Sequence, residues 1–311
     1  MFTQLTFNTI EAKPFLKWAG GKSQLLSQFQ ELYPAALEKG AVDRYIEPFI
    51  GGGAVFFDVV RTHSIKSFVL VDINVELVLV YRVIQKEPRK LITNLQRLAG
   101  EYLPLSEKER KAFYYSVRER FNSTRFEFDY ENYSDGWVTR AAQFMFMNRT
   151  CFNGLFRLNS RGKFNVPHGR YKNPRILDPE NILSVSEILQ EAEIKCGDFT
   201  ICEDWITESS FIYFDPPYRP LSKTASFTSY SKYKFEDEEQ IRLAQFFRSI
   251  DEKYGAHLML SNSDPKNEAP EDDFFEQLYT GYNIHRVSAN RMINSNADRR
   301  GQITELLITN Y

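Results

Sequence analysis

The chain has 311 residues with a net charge of −2, 42% hydrophobic and 26% charged residues, which suits a soluble globular protein of one large or two modest domains and gives no sign of a wholly polyanionic partner. Its three cysteines, Cys151, Cys196 and Cys202, form no CxxC pair, and its four histidines are scattered, which argues against a disulfide framework and a metal site and suits a reducing cytoplasm. No apolar window is clean enough to span a membrane, because residues 68–84 are broken by Asp72, Asn74, Glu76 and Arg82.

In chain order, residues 1–15 lack the basic-then-apolar pattern of a secretory signal. Residues 23–33 predict a helix, with Leu25, Phe29, Leu32 and Tyr33 on one face and Pro34 ending it. "RYIEPFIGGGAVFF" predicts strand, glycine turn and helix, and residues 68–74 predict a buried strand with an acid at its carboxyl end. Further strands are expected at 194–199, 211–215 and 256–262, and "NIHRVSA" and "ITELLITNY" are expected to pair as antiparallel neighbours. Residues 241–254 predict a helix with Leu243, Phe246, Phe247 and Ile250 on one face. This alternation predicts an open, Rossmann-like α/β sheet. It is interrupted by a mostly helical region that carries the acidic aromatic run "RFEFDYENYSDGW". Residues 1–81 and 191–311 therefore read as one domain and 82–190 as a second domain inserted in it.

Two glycine stretches invite a ligand. "GGKS" at 20–23 lacks the earlier glycine and the preceding strand of a phosphate loop. Gly51-Gly52-Gly53 follows a strand and opens a helix, where a ligand can approach the backbone closely. Asp72 ends the next strand about twenty residues on, where an acid typically holds ribose hydroxyls. The pair fits a nucleoside-bearing cofactor. The absence of GxGxxG spacing weakens a dinucleotide and leaves S-adenosylmethionine.

The run "FIYFDPPY" delivers an acid, two prolines and a tyrosine to the end of a strand. An amino group on a heteroaromatic base is a poor nucleophile, because its lone pair is delocalised into the ring. A carboxylate and a backbone carbonyl that accept its two hydrogens draw the nitrogen toward tetrahedral geometry. Prolines supply carbonyls without competing donors and stiffen the turn. A tyrosine ring supplies a stacking face. A base within a duplex must be flipped out to reach such a pocket, at a cost of a few kcal/mol. Two stretches suit the phosphates that such a substrate brings. Residues 140–175 hold eight Lys or Arg and no acid. Residues 216–235 hold Arg219, Lys223, Lys232 and Lys234 with Phe227, Tyr230 and Tyr233 interleaved.

In combination, "FLKWAGGK", "EPFIGGG", "NRTCFNGLFRLNSRGKFNVPHGRYKNP", "GDF" and "DPPY" resemble the DNA adenine methyltransferase (Dam) family over nearly the whole chain. "YFDPPYRPLSKTASFTSY" is most similar to the GATC methylases of DpnII-type restriction systems. The resemblance implies that Trp18, Lys22, Asp72 and Asp215 contact S-adenosylmethionine, with Phe49, Gly51, Gly53, Asp198 and Phe199 lining the same pocket. It implies that Asp215, Pro216 and Tyr218 hold a flipped adenine. It further implies that Asn153, Leu155 and Arg157 read bases from the inserted domain and that Lys17 and Tyr171 position the DNA; independently, Arg157 follows the Asn153-Gly154 turn in an acid-free region, which suits the tip of a hairpin entering the major groove. Double-stranded DNA is the implied partner, and a cognate restriction endonuclease fits the same setting. Methylation of RNA or of a protein side chain, and a DNA-binding module without catalysis, are the competing readings. The basic insertion argues against the first and the intact DPPY against the second.

Overall fold

A computed structural model describes residues 11–219, 235–290 and 302–311. Seven strands, β1 (Arg44–Glu47), β2 (Ser67–Asp72), β3 (Ala192–Cys196), β4 (Ser210–Phe214), β5 (His257–Ser263), β6 (Asn283–Asn290) and β7 (Gln302–Thr309), form one sheet. Their order is β3-β2-β1-β4-β5-β7-β6. The first five in that order are parallel, and β7 runs antiparallel between β5 and β6. All five residues of β4 are buried, as expected for a parallel strand covered on both faces. The direction of winding reverses between β1 and β4, the place where open α/β sheets bind ligands.

Side-chain alternation along the strands divides the core in two. Tyr45, Phe211, Tyr213, Met259 and Leu307 face one apolar cluster, and Ile46, Ile212, Phe214, Leu260, Leu306 and Ile308 face the other. The first cluster takes in residues of α1 (Leu26–Gln30), α2 (Ala35–Glu38), α3 (Ala54–Thr62) and α4 (Val75–Lys86). Further along the chain come α5 (Pro88–Tyr102), α6 (Glu107–Thr124), α7 (Asp135–Thr150) and α8 (Pro179–Leu189). The second cluster takes in α9 (Asp237–Tyr254) and α10 (Phe274–Leu278). The helix expected at 23–33 contracts to α1. Leu25 offers no side-chain cap, and the chain after Glu31 tightens toward Pro34, which disfavours helical backbone at the residue before it. The helix expected at 241–254 instead starts earlier, where Asp237, Glu238 and Glu239 complement the positive end of the α9 dipole.

Residues 81 and 82, where the sequence suggests a domain division, lie within the continuous α4, which packs on α7, α8 and β3. At its start, Glu76 is buried and accepts Arg140 Nε at 2.7 Å, an Arg125 guanidinium nitrogen at 2.5 Å and the Tyr130 hydroxyl at 2.6 Å. Tyr130 belongs to the acidic aromatic run, and the carbonyl of Asp129 in that run accepts the Trp137 indole N–H at 2.8 Å. The run is thus packed against α4 and α7. Arg140, counted above among the basic residues facing DNA, is instead an interior cation, because a charge buried this deeply needs the Glu76 carboxylate as partner.

Candidate active site

Four neighbouring strands each bring a polar group to the same face at the carboxyl edge of the parallel sheet. Glu47 ends β1 two residues after Tyr45, Asp215 follows Tyr213 by two, Ser261 follows Met259 by two, and Glu305 precedes Leu307 by two. Period-two alternation puts each beside the others. Lys22, buried just before α1, covers this row. Its Nζ lies 2.8 Å from Asp215 Oδ1 and donates to the Gly20 carbonyl at 2.6 Å. Ser261 Oγ donates to Asp215 Oδ1 at 2.9 Å, and the Tyr213 hydroxyl lies 2.8 Å from Ser261 Oγ. Tyr218 presents its ring 4.6 Å from Lys22 Nζ and donates its hydroxyl to Glu305. Burial holds the pKa of Glu47 well above the usual carboxylate range, and burial likewise raises that of Glu305, with Lys22 opposing. Of the three carboxyl groups in the row, Asp215 is the one that Lys22 pairs with directly. Pro216 is buried beside Asp215.

The glycine loop lies next to this row. Gly51 and Gly53 adopt left-handed φ of 46° and 70°. A Cβ on Gly51 would stand 2.8 Å from the Trp18 ring, and one on Gly53 2.8 Å from the Tyr81 hydroxyl, so both positions require glycine. The amide of Gly51 donates to Asp72 Oδ2 at 3.1 Å and that of Asn74 to Asp72 Oδ1 at 2.8 Å. Burial nevertheless pushes the Asp72 pKa up to about 6. Phe49 and Phe199 form an aromatic pair with centroids 5.5 Å apart. Asp198 is held by Arg242, with contacts of 2.9 and 2.6 Å, and the bond to Arg242 depresses its pKa. The Arg242 guanidinium also lies 4.2 Å from the Phe199 ring centroid.

The second group of expected residues gathers around the end of α7. Asn148 ties Lys17 to the loop that follows. Its side chain accepts the Lys17 amide at 2.9 Å and donates to the carbonyls of Lys17 and Gly154, each at 2.8 Å. Lys17 Nζ lies 4.3 Å from the Tyr171 ring centroid. Leu155 is half-buried and Asn153 exposed. Trp18 stacks on Phe156, with rings 6.3 Å apart, and so joins the glycine loop to this surface. Asn153, with φ of 55°, does not head a hairpin; it closes the short turn after α7. The hairpin lies further on, with Leu158 bridged to Phe164 and its turn at Asn159 to Gly162. Arg157 therefore stands in the first leg and donates Nε to Asn165 at 2.9 Å. Arg157, Arg161, Lys163, Arg170, Lys172 and Arg175 are exposed. Of the second basic stretch, Arg219 is paired with Asp237 and Asp272 and is not free for phosphate. Lys223, Phe227, Tyr230, Lys232, Tyr233 and Lys234 lie outside the described residues.

Sequence reasoning missed Glu47, Glu305, Ser261, Asn148 and Arg242. It also missed Phe152, whose ring is 51% exposed beside Asn153 on the basic face. Alternation would have placed Glu47 and Glu305 on the same face as Asp215; Asn148 and Arg242 carry no local signal. Among the described residues no group of three or more His, Cys, Asp or Glu could hold a metal ion, and no helix is long and apolar enough to cross a membrane.

The family model for D12 class N6 adenine-specific DNA methyltransferases matches residues 18–293. The type II methyltransferase M.MjaIII of Methanocaldococcus jannaschii is 51% identical over 303 residues, spanning 97% of this chain and 100% of that protein. The DNA adenine methylase of Vibrio cholerae is 35% identical over 296 residues, 95% of each chain. That of Escherichia coli K12 is 33% identical over 295 residues, 95% of this chain and 94% of its own.

Proposed function

The chain belongs to the D12 class of N6 adenine-specific DNA methyltransferases, and on that premise we propose that it methylates adenine in GATC duplexes with S-adenosylmethionine as donor. The observation that carries the site assignment is the row of Asp215, Ser261 and Glu305 capped by Lys22, with Tyr218 standing over it at the reversal of the sheet. Asp215 and the Pro216 carbonyl accept the two hydrogens of the adenine amino group, and the Tyr218 ring supports the base. Lys22 holds the Asp215 carboxylate in place, so the acceptor is pre-organised.

S-adenosylmethionine supplies an activated methyl on a sulfonium, and the residues present fit it. Asp72 offers an acceptor to ribose hydroxyls, Gly51 and Gly53 leave the backbone open, and Phe49 with Phe199 offers apolar faces to a purine. Arg242 orients Asp198 at the edge of that pair.

Residues 82–190 act as the target-reading domain. Lys17, Asn153, Leu155, Arg157 and Tyr171 cluster on the exposed basic face, and Phe152 offers an apolar ring of the kind that wedges between base steps. GATC rests on the resemblance of "YFDPPYRPLSKTASFTSY" to GATC methylases. Relatives named as type II methyltransferases support a place beside a cognate restriction endonuclease.

The test is transfer of a labelled methyl group to a GATC duplex and to duplexes with one base changed. Wild-type protein is expected to label only GATC, and Asp215→Ala to label none while keeping its circular dichroism spectrum. An active Asp215→Ala protein overturns the mechanism, and a wild-type protein that ignores GATC overturns the site.

A further inference from the structure

We infer that Glu305 is a positioning residue for the base-stacking ring of Tyr218, an inference that rests on the proposed adenine chemistry. Because β7 runs antiparallel to β5, it enters the sheet at the edge where the parallel strands leave it. Glu305 is its fourth residue, opposite Ser263 at the end of β5. The Tyr218 hydroxyl donates to Glu305 Oε2. The same ring has Lys22 Nζ 4.6 Å from its centroid, and that nitrogen is bound to Asp215 at 2.8 Å.

Stacking on a base needs only the ring. The hydroxyl matters because it ties the ring to the sheet. The hydroxyl oxygen lies on the ring's Cβ–Cγ axis, so a bond there fixes where the ring points, through χ1 and the loop backbone, while a contact on its face sets the rotation about that axis. Tyr218 lies in the loop after β4, where backbone pairing does not fix its direction. Glu305 fixes the ring at its hydroxyl and Lys22 fixes it at its face, and Lys22 also holds Asp215. Stacking face and hydrogen-bond acceptor are thereby registered to one another. The carboxylate works from β7, remote in sequence from the DPPY motif.

The experiment compares wild type, Glu305→Ala, Glu305→Gln, Tyr218→Phe and the Glu305→Ala/Tyr218→Phe double variant in single-turnover methylation of a GATC duplex. S-adenosylmethionine affinity is measured by calorimetry, and target-base stacking by the fluorescence of 2-aminopurine in place of the target adenine. Glu305→Ala is expected to lose about 10- to 100-fold in the methylation step, the scale of a misplaced reacting group, with cofactor affinity unchanged and fluorescence raised. Glu305→Gln keeps an acceptor and is expected to restore most of the rate. Tyr218→Phe breaks the same bond, so the double variant is expected to be no slower than the slower single one. Multiplying losses in the double variant, or loss of cofactor affinity in place of rate, would overturn the inference. Should Glu305→Ala not fold, Tyr218→Phe still decides: a wild-type rate and fluorescence would mean the anchored hydroxyl is dispensable. A wild-type protein that leaves adenine unmethylated would overturn the reading of function and this inference with it. An active wild type with unaffected Glu305→Ala and Tyr218→Phe would overturn the inference alone.

Discussion

Asp72 meets two opposed demands. In its proposed role as a ligand for hydroxyl groups it must accept, which its carboxylate does best, yet burial favours the neutral acid and pushes its pKa to about 6 despite backbone N–H donors that include those of Gly51 and Asn74. The acceptor is the deprotonated form and the pKa is raised, so the acceptor is intact above about pH 6 and lost as pH falls through that value. Affinity for S-adenosylmethionine is expected to weaken over that window. Asp72→Asn, neutral at every pH, is expected to bind weakly and without the pH dependence. Calorimetric titrations from about pH 5 to about pH 8 check both, and a flat wild-type profile would remove Asp72 from the ribose contact. At this scale the sequence was informative where a residue ends a strand. Asp72 and Asp215 were legible because apolar runs lead straight to them. Lys22 was singled out as a cofactor contact, but its pairing with Asp215 depends on a fold-back that no local pattern encodes.

The elements were legible in kind and less so in extent. Each expected strand has a counterpart in the sheet, and β6 and β7 pair as anticipated. The hairpin was displaced because Asn-Gly serves two purposes: it nucleates tight hairpin turns, and it also supplies the left-handed residues that close helices. Here the pair supplies its left-handed residues to the short helical turn Phe152–Gly154 that follows α7, whose own C-cap Cys151 is extended, and the hairpin forms later around Asn159 and Gly162. Arg157 then stands in a leg, with its Nε on Asn165 and, among the described residues, no acceptor for its two terminal nitrogens. That leaves a fork matched to the two acceptors of guanine. Arg157→Ala is expected to relax discrimination at one guanine of the site by about 1–3 kcal/mol. Lys172→Ala is expected instead to slow all duplexes alike and to flatten the salt dependence. Methylation rates on matched and one-base-changed duplexes separate the two, and a uniform loss in Arg157→Ala would reduce Arg157 to a phosphate clamp.

For the molecule as a whole, the helical insertion and the sheet are joined through a buried charge. Glu76 begins α4 four residues after Asp72, and its carboxylate holds Arg125 and Arg140 from the insertion. Arg140→Met leaves Glu76 with Arg125 and Tyr130 alone, so the loss is expected toward the low end of that for a broken buried pair, about 3 kcal/mol. A lower midpoint in urea unfolding checks it; an unchanged midpoint would mean that Arg125 suffices. This junction was not legible in the sequence, because the partners of Glu76 lie far along the chain and their charges read as surface. The order of the sheet has a further consequence, for biosynthesis. β6 is made before β7 yet, among the described residues, pairs only with it, on the far side from β5. Until residues 302–309 have been made and have folded in, β6 has no neighbour in the sheet and β5 keeps an open edge. The strand that then slides between them carries Glu305, so on the proposed function the edge that holds Tyr218 is completed only by this last insertion, whatever the N-terminal half has already folded.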